Sequence, residues 1–292
     1  MRCDVKIGAV FPQLDIGADR GAISEYGQAV DAMGFDHLLA FDHVVGADPS
    51  VHVGWAGPYD VTSTFHEPFV LFGFLAAICP SLEFATGIVI LPQRQTVLVA
   101  KQAAEVDILS GGRFRLGVGI GWNAVEYEAL GERFDNRGRR IEEQIELLRR
   151  LWTEPSLTFE GKFHRVTGAA ISPLPLQQPI PLWMGGGAGP ALARVGRLAD
   201  GWFSNAKPGP QLDGALTTIR DAARAADRDP KEIGVEGRIL VGDGDVDRIV
   251  KEFGEWVDVG ASHVSFNTMG AGLKGVDTHI AALQLAISSV QG

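Results

Sequence analysis

Asp42 and His43 stand side by side at the end of the apolar run 37–41, a carboxylate next to an imidazole. A histidine so placed can exchange protons near neutral pH. The same two residues could instead be a helix-capping aspartate and a structural histidine, so the pair alone does not define a reaction. A second kind of candidate is backbone. Gly117-Val118-Gly119-Ile120-Gly121-Trp122 ends the alternating run that begins at Phe114, and Gly185-Gly186-Gly187 follows Leu182-Trp183-Met184. Glycines at a strand end remove Cβ atoms where backbone N–H groups can approach a ligand, and clustered N–H groups attract phosphate. One such exit is also no more than a tight turn. Two in one chain favour a phosphate-bearing ligand.

Other chemistry finds less support. No His-x-His, His-Glu-x-x-His or Gly-x-Ser-x-Gly pattern occurs, so neither a metal site nor a serine nucleophile is expected. Glu126 and Glu128 follow Trp122 and could act as acid or base, but alongside Glu132 and Arg133 they read more simply as a solvated face. His37, His164, His263 and His279 have no evident partners and read as structural. Arg137, Arg139 and Arg140 with Glu142, Glu143 and Glu146 have the spacing of surface ion pairs along a helix. Asp107, ahead of Ser110-Gly111-Gly112-Arg113, reads as the tie of a turn. Trp55, Tyr59 and Phe65 lie in the Gly/Pro/His-rich stretch 44–66 and could shape an apolar pocket over a planar ring.

These residues need a frame. Strand signals at 5–11, 37–41, 82–91, 114–120, 182–184, 202–204, 235–241 and 263–266 alternate with helical runs such as 21–33, 67–78, 96–109, 139–151 and 210–226. About eight such units predict an α/β fold, a (β/α)8 TIM barrel with insertions, in a single domain spanning 1–292. An open doubly wound sheet is the alternative. The insertions fall at 44–66, at 122–136, and in a hairpin at 157–164 with a proline-rich run 173–181 behind it. In a barrel the chemistry gathers at the C-terminal strand ends, where both the Asp42-His43 pair and the glycine turns would lie.

Composition sets outer limits. With 46% hydrophobic residues the 292-residue chain can bury a large core, and it has no apolar run of membrane-spanning length. A net charge of −10 argues against nucleic-acid and anionic-membrane partners, leaving a small-molecule substrate. Two isolated cysteines, Cys3 and Cys79, and a start that enters a strand by Val5, with no room for a secretory signal, point to a reducing cytoplasm.

Several segments taken together resemble the bacterial-luciferase-like superfamily of TIM-barrel oxidoreductases, and within it the branch using the deazaflavin coenzyme F420. They are Phe41-Asp42-His43, the run Ala85 to Arg94, Ala100 to Asp107, Leu109 to Arg113, Gly117 to Trp122, Glu126 to Gly131, Pro181 to Gly186 and Ala199 to Trp202. They keep one order over roughly residues 5–205. The resemblance implies a flat redox ring across the barrel mouth and a non-prolyl cis peptide at Gly87-Ile88 bulging against its back. It implies that Gly119, Ile120, Gly121 and Trp122, with Gly185, Gly186 and Gly187, hold the cofactor's side chain and phosphate. It places Asp42 beside the ring, makes His43 the catalytic proton donor or acceptor, and suggests a homodimer. Sugar-phosphate dehydrogenases of that branch carry a glutamate directly after the Gly-x-Gly turn. Here Trp122 and Asn123 occupy those positions, which argues for a more apolar substrate. The implied activity is F420-dependent hydride transfer. The alternatives are an FMN-dependent monooxygenase and, from another class, a non-catalytic barrel that only binds a ligand.

Overall fold

The computed structural model describes residues 5–291, so Cys3 and the first four residues used in the secretion argument lie outside the described residues. Its strands are β1 (Lys6–Val10), β2 (His37–Ala40), β3 (Glu83–Thr86), β4 (Val89–Ile90), β5 (Phe114–Gly119), β6 (Leu157–Glu160), β7 (Arg165–Ala169), β8 (Leu182–Gly185), β9 (Gly201–Phe203), β10 (Gly234–Leu240) and β11 (His263–Asn267). Hydrogen bonding runs in the order β3, β2, β1, β11, β10, β9, β8, β5, and the pairing of β3 with β5 closes the ring. All pairs in it are parallel, giving a closed eight-stranded TIM barrel in which β4 prolongs the β3 stave. The antiparallel pair β6–β7 stands apart as the expected hairpin.

Ten helices wrap this barrel: α1 (Gln13–Ile16), α2 (Arg20–Ala32), α3 (Pro68–Ala76), α4 (Thr96–Ser110), α5 (Ala124–Ala129), α6 (Arg137–Thr153), α7 (Gly189–Leu198), α8 (Pro210–Ala225), α9 (Val246–Asp258) and α10 (Val276–Gln291), counted among the described residues. Local chemistry explains several of their ends. Asp19 and Glu67 accept the Ala22 and Val70 amides as N-caps, and Gly111, at φ 72°, closes α4 in the left-handed region. Ile249, Phe253 and Trp256 recur at helical spacing on α9 and are buried against the barrel. None of the helices is long and apolar enough to cross a membrane, among the described residues.

One strand reading needs correction, and one insertion gains a helix. The continuous strand expected over 82–91 is interrupted: β3 ends at Thr86, the Gly87–Ile88 peptide is cis, and β4 resumes at Val89. The insertion at 122–136 contains α5, whose start Asn123 caps by accepting the Val125 and Glu126 amides.

The inside of the barrel is charged below its mouth. Glu236 on β10 is buried and accepts from Arg115 on β5 at 3.0 Å, lies 3.0 Å from His37 Nε2 on β2, and accepts from Ser265 on β11 at 2.5 Å. Arg115 also pairs with Glu83 and lies 4.4 Å from the Trp183 ring centroid. Small residues make room for these groups. A Cβ on Gly8 would lie 2.1 Å from the His37 ring, and one on Gly201 would lie 2.3 Å from the Trp183 indole. Of the histidines without evident partners in sequence, His37 thus gains them from other strands, His164 gains Glu143 and Thr96 from helices, His263 meets its neighbour Ser262, and His279 meets Thr268.

Burial would raise the Glu236 carboxyl, but His37 and Arg115 outweigh it and hold it far below its ordinary 4.5. Burial, together with the nearby Arg115 charge, pushes His263 down to about 2 from its ordinary 6.5. Both shifts make the unfolded chain bind more protons than the native one, so stability rises with pH through their range. Stability should therefore fall as pH drops below 6.5, as unfolded His263 takes up a proton, and again below 4.5 for Glu236. Urea unfolding of the wild type and of His263→Gln from pH 8 to 4 checks this, the variant showing a smaller first decline, because burial also holds His164 and His279 below 6.5 and they share it. Glu236→Gln should cost about 3–5 kcal/mol at pH 7, because it removes the fully buried counter-charge of Arg115.

Candidate active site

At the C-terminal end of the barrel lies a cavity of about 580 Å³. Asp42 and His43, Gly87 and Ile88, Gly119 to Trp122, and Gly185 to Gly187 all line it. The strand-end residues Pro12, Gln13, Arg94, Asn267 and Thr268 do not. Pro58 and Tyr59 reach it from the long loop, and Arg194, Asn205, Glu236 and Arg238 complete its polar lining.

His43 is oriented by a residue that sequence alone placed on a solvated face. Glu126, on α5, is 1% exposed, and its carboxylate lies 3.3 Å from His43 Nδ1 while accepting the Val44 and Val45 amides. Asn123 caps α5, and the Tyr127 hydroxyl donates to Ile120 at 2.7 Å, so the helix is pinned to the glycine turn. That turn is what swings Glu126 inward. Burial would raise the Glu126 carboxyl, but the bonds from His43 and Val44 prevail and hold it below its ordinary value. An ionised carboxylate only accepts, so Nδ1 of neutral His43 must carry the proton, leaving the Nε2 lone pair as the reactive one. Phe65, Tyr59 and Trp122 surround the imidazole at ring-centroid distances of 4.8, 5.1 and 5.6 Å. Trp55 packs on Trp122 at 5.6 Å. Of the three loop aromatics expected to shape a pocket, Tyr59 lines the cavity, Phe65 packs on His43, and Trp55 reaches only Trp122.

Asp42 is engaged elsewhere. It accepts from Arg94 at 2.8 Å and from the Ile90 amide at 3.2 Å, and Arg94 in turn reaches Glu67 at 2.9 Å. This chain of charges ties the end of β2 to the start of α3. Burial drives the Asp42 carboxyl above its ordinary range against the pull of Arg94. Glu132 pairs with Arg140, Glu142 with Arg194 and Arg197, and Glu143 with His164. The expected helix-spaced surface pairs of α6 are therefore tertiary ties. The Asp107 carboxylate binds the Leu176 and Gln177 amides and ties the proline-rich run, while its carbonyl accepts from Ser110 and Gly112 and holds the expected turn.

The glycines divide by role. A Cβ on Gly119 would lie 2.0 Å from Ile88 Cδ1, and one on Gly121 would lie 2.6 Å from Ile90 Cγ2. Their missing side chains make room for isoleucines, not for a ligand. Gly186 takes φ 129°, with its carbonyl accepting from the Trp202 indole at 2.9 Å. Gly187 has nothing within 4 Å of a would-be Cβ, so its backbone is open just ahead of α7. The exposed backbone and the helix N-terminus behind it fit a phosphate group. Among the described residues no group of three or more His, Cys, Asp or Glu is placed to hold a metal ion.

A closed parallel barrel with a cofactor-sized cavity at its C-terminal mouth defines a class of small-molecule site. The family model for luciferase-like monooxygenases matches residues 8–258, and the chain belongs to that family, whose members are oxidoreductases and monooxygenases. It is 39% identical over 156 residues to an uncharacterized protein of Mycobacterium tuberculosis, covering 53% of this chain and 54% of that one. It is 33% identical over 184 residues to the FMNH(2)-dependent dimethylsulfone monooxygenase of Pseudomonas putida, covering 61% of this chain and 50% of that one. The chain thus spans about half the length of these curated relatives. An F420-dependent secondary alcohol dehydrogenase, solved with an F420-acetone adduct, superposes with a TM-score of 0.77 over 99% of both chains at 16% identity.

Glu126→Ala should strip the Val44 and Val45 amides and His43 of their acceptor, costing roughly 1–3 kcal/mol of stability. Hydrogen exchange at Val44 and Val45 should accelerate more than exchange in β1 or β11, which is the readout that locates the damage.

Proposed function

We propose that this protein is an oxidoreductase that binds the deazaflavin coenzyme F420 across the barrel mouth and exchanges a hydride between it and a small organic substrate. The observation that carries the reading is the 580 Å³ cavity, with a carboxylate-oriented imidazole on one side and the open backbone of Gly187 on another. Gly186, Gly187 and the first turn of α7 would hold the phosphate. Gly87 and Ile88 would back the ring, with Asp42 and the turn from Gly119 to Trp122 along its edge. When bound, the deazaflavin supplies hydride donation and acceptance. The protein supplies orientation, exclusion of water and a proton path.

In that path the Nε2 lone pair of His43 takes the proton released as an alcohol-type carbon is oxidised, or Nε2–H returns it in the reverse direction. Glu126 stabilises the imidazolium that forms, as a buried counter-charge at Nδ1. Tyr59, Phe65 and Trp122 keep water from competing at the ring. A cytoplasmic setting and a homodimer belong to the same proposal.

A second reading, FMNH(2)-dependent monooxygenation, is favoured by the 33% identity to the dimethylsulfone monooxygenase. Titration of the protein with F420 and with FMN, in reduced and oxidised forms, separates the two, and tighter binding of FMN would overturn the deazaflavin reading. Gly187→Ala should leave the melting temperature unchanged and weaken binding of the phosphate-bearing cofactor. With a turned-over substrate, His43→Ala should lower kcat by roughly 10²–10⁴-fold while cofactor affinity stays nearly constant. Absence of turnover by the wild type across alcohols, aldehydes, enones and thioethers would leave a ligand-binding barrel.

A further inference from the structure

The charged groups lining the cavity are not equally occupied. Asp42 is held by Arg94, and Glu236 by Arg115, His37 and Ser265. Arg194 is turned away to Glu142 at 3.0 Å and to the Gly138 carbonyl at 2.9 Å. Arg238 differs. No described carboxylate lies at ion-pair distance from it, and its one side-chain partner is the amide oxygen of Asn205, at 3.3 Å. Its guanidinium sits 5.3 Å from the Phe41 ring centroid, and Phe41, Asn205 and Tyr59 line the same cavity.

We propose that Arg238, seconded by Asn205, receives the carboxylate of the substrate, so that the enzyme acts on a small organic acid with an apolar body. This rests on reading the cavity as the substrate site. A guanidinium presents a planar fork of donors that matches a carboxylate bidentately. Asn205 Oδ1 occupies one donor, and its amide nitrogen can add a hydrogen bond to the same guest. A dianionic phosphate fits poorly, because Glu236 lines the cavity close by and no second unpaired cation does. The hydride-accepting or hydride-donating carbon would then lie in the space between Arg238 and His43, with Phe41 and Tyr59 against the apolar body. Tyr59 links the two ends: its ring is 5.1 Å from that of His43. The open backbone for the cofactor's phosphate is on the β8–α7 connection, whereas Arg238 is on β10 with β9 between them. Cofactor and substrate anions therefore have separate receptors. Burial lowers the proton affinity of Arg238 against the pull of Glu236, a penalty that an anionic guest relieves.

Benzoate and its neutral isostere benzamide serve as probes, with binding to the cofactor-loaded protein and to the protein alone measured by calorimetry. The wild type should prefer benzoate by about tenfold or more, as expected of a charge-assisted bidentate contact. Arg238→Met should erase the preference while F420 affinity changes less than about threefold, and Arg238→Lys should retain part of it, since it keeps the charge without the fork. Equal binding of the two probes by the wild type overturns the proposal, and so does a preference that survives Arg238→Met. A loss of cofactor affinity matching the loss of benzoate would reassign Arg238 to the cofactor and also overturn it. If Arg238→Met does not fold, the wild-type preference and Arg238→Lys decide alone. Failure of the wild type to bind F420 defeats the functional reading, while the benzoate preference of the protein alone still tests Arg238.

Discussion

A buried carboxylate in the middle of a barrel is costly unless its charge is matched on the spot, and Glu236 is matched by Arg115, His37 and Ser265. Four strands contribute to this one contact: β10, β5, β2 and β11. Closing the ring brings them together, and their mutual satisfaction fixes how the strands face one another across the interior. The cluster fills the barrel below the cavity, so the mouth is floored by paired charges and not by aliphatic side chains. It also settles the fate of Arg238. Because Glu236 is already committed to other donors, the neighbouring Arg238 guanidinium has only the neutral Asn205 oxygen beside it and no described carboxylate at ion-pair distance.

The same principle governs the opposite wall. Glu126 is buried among donors that saturate it, and the consequence is a histidine with a defined tautomer and orientation. Asp42, directly before that histidine in the chain, is instead absorbed by Arg94 and the Ile90 amide. Two adjacent polar residues thus have distinct tasks, one tying β2 to the helix α3 region and the other presenting a reactive nitrogen. In each case a carboxylate that is not free to react determines what a neighbouring base can do.

Ile88 and the glycines show a comparable economy in the apolar part of the site. Gly119 and Gly185 admit the Ile88 side chain between two strand ends, and Gly121 admits Ile90. The pocket wall is then an aliphatic surface, while Gly187, with nothing within 4 Å of a would-be Cβ, leaves backbone bare for an anion. One motif type therefore has two uses, decided by whether an isoleucine from another strand claims the space.

The sequence by itself determined the barrel, because alternating strand and helix periods repeated about eight times leave few other ways to bury both faces of a parallel sheet. It also brought His43, Gly87, Ile88 and both glycine turns to one end, since strand direction alone assigns them there. Pairings over long separations were not legible. Glu126 lies 83 residues from His43 in the chain and reads locally as one more acid on a charged helix. Glu236 and Arg115 are 121 residues apart, and His37 and Glu236 are 199 apart. Hydropathy and spacing report which face a residue prefers, whereas burial of a charge depends on a partner that only the closed ring supplies. Tertiary structure alone therefore decided which acids are buried, which histidine is oriented and which arginine faces the cavity without a described carboxylate beside it.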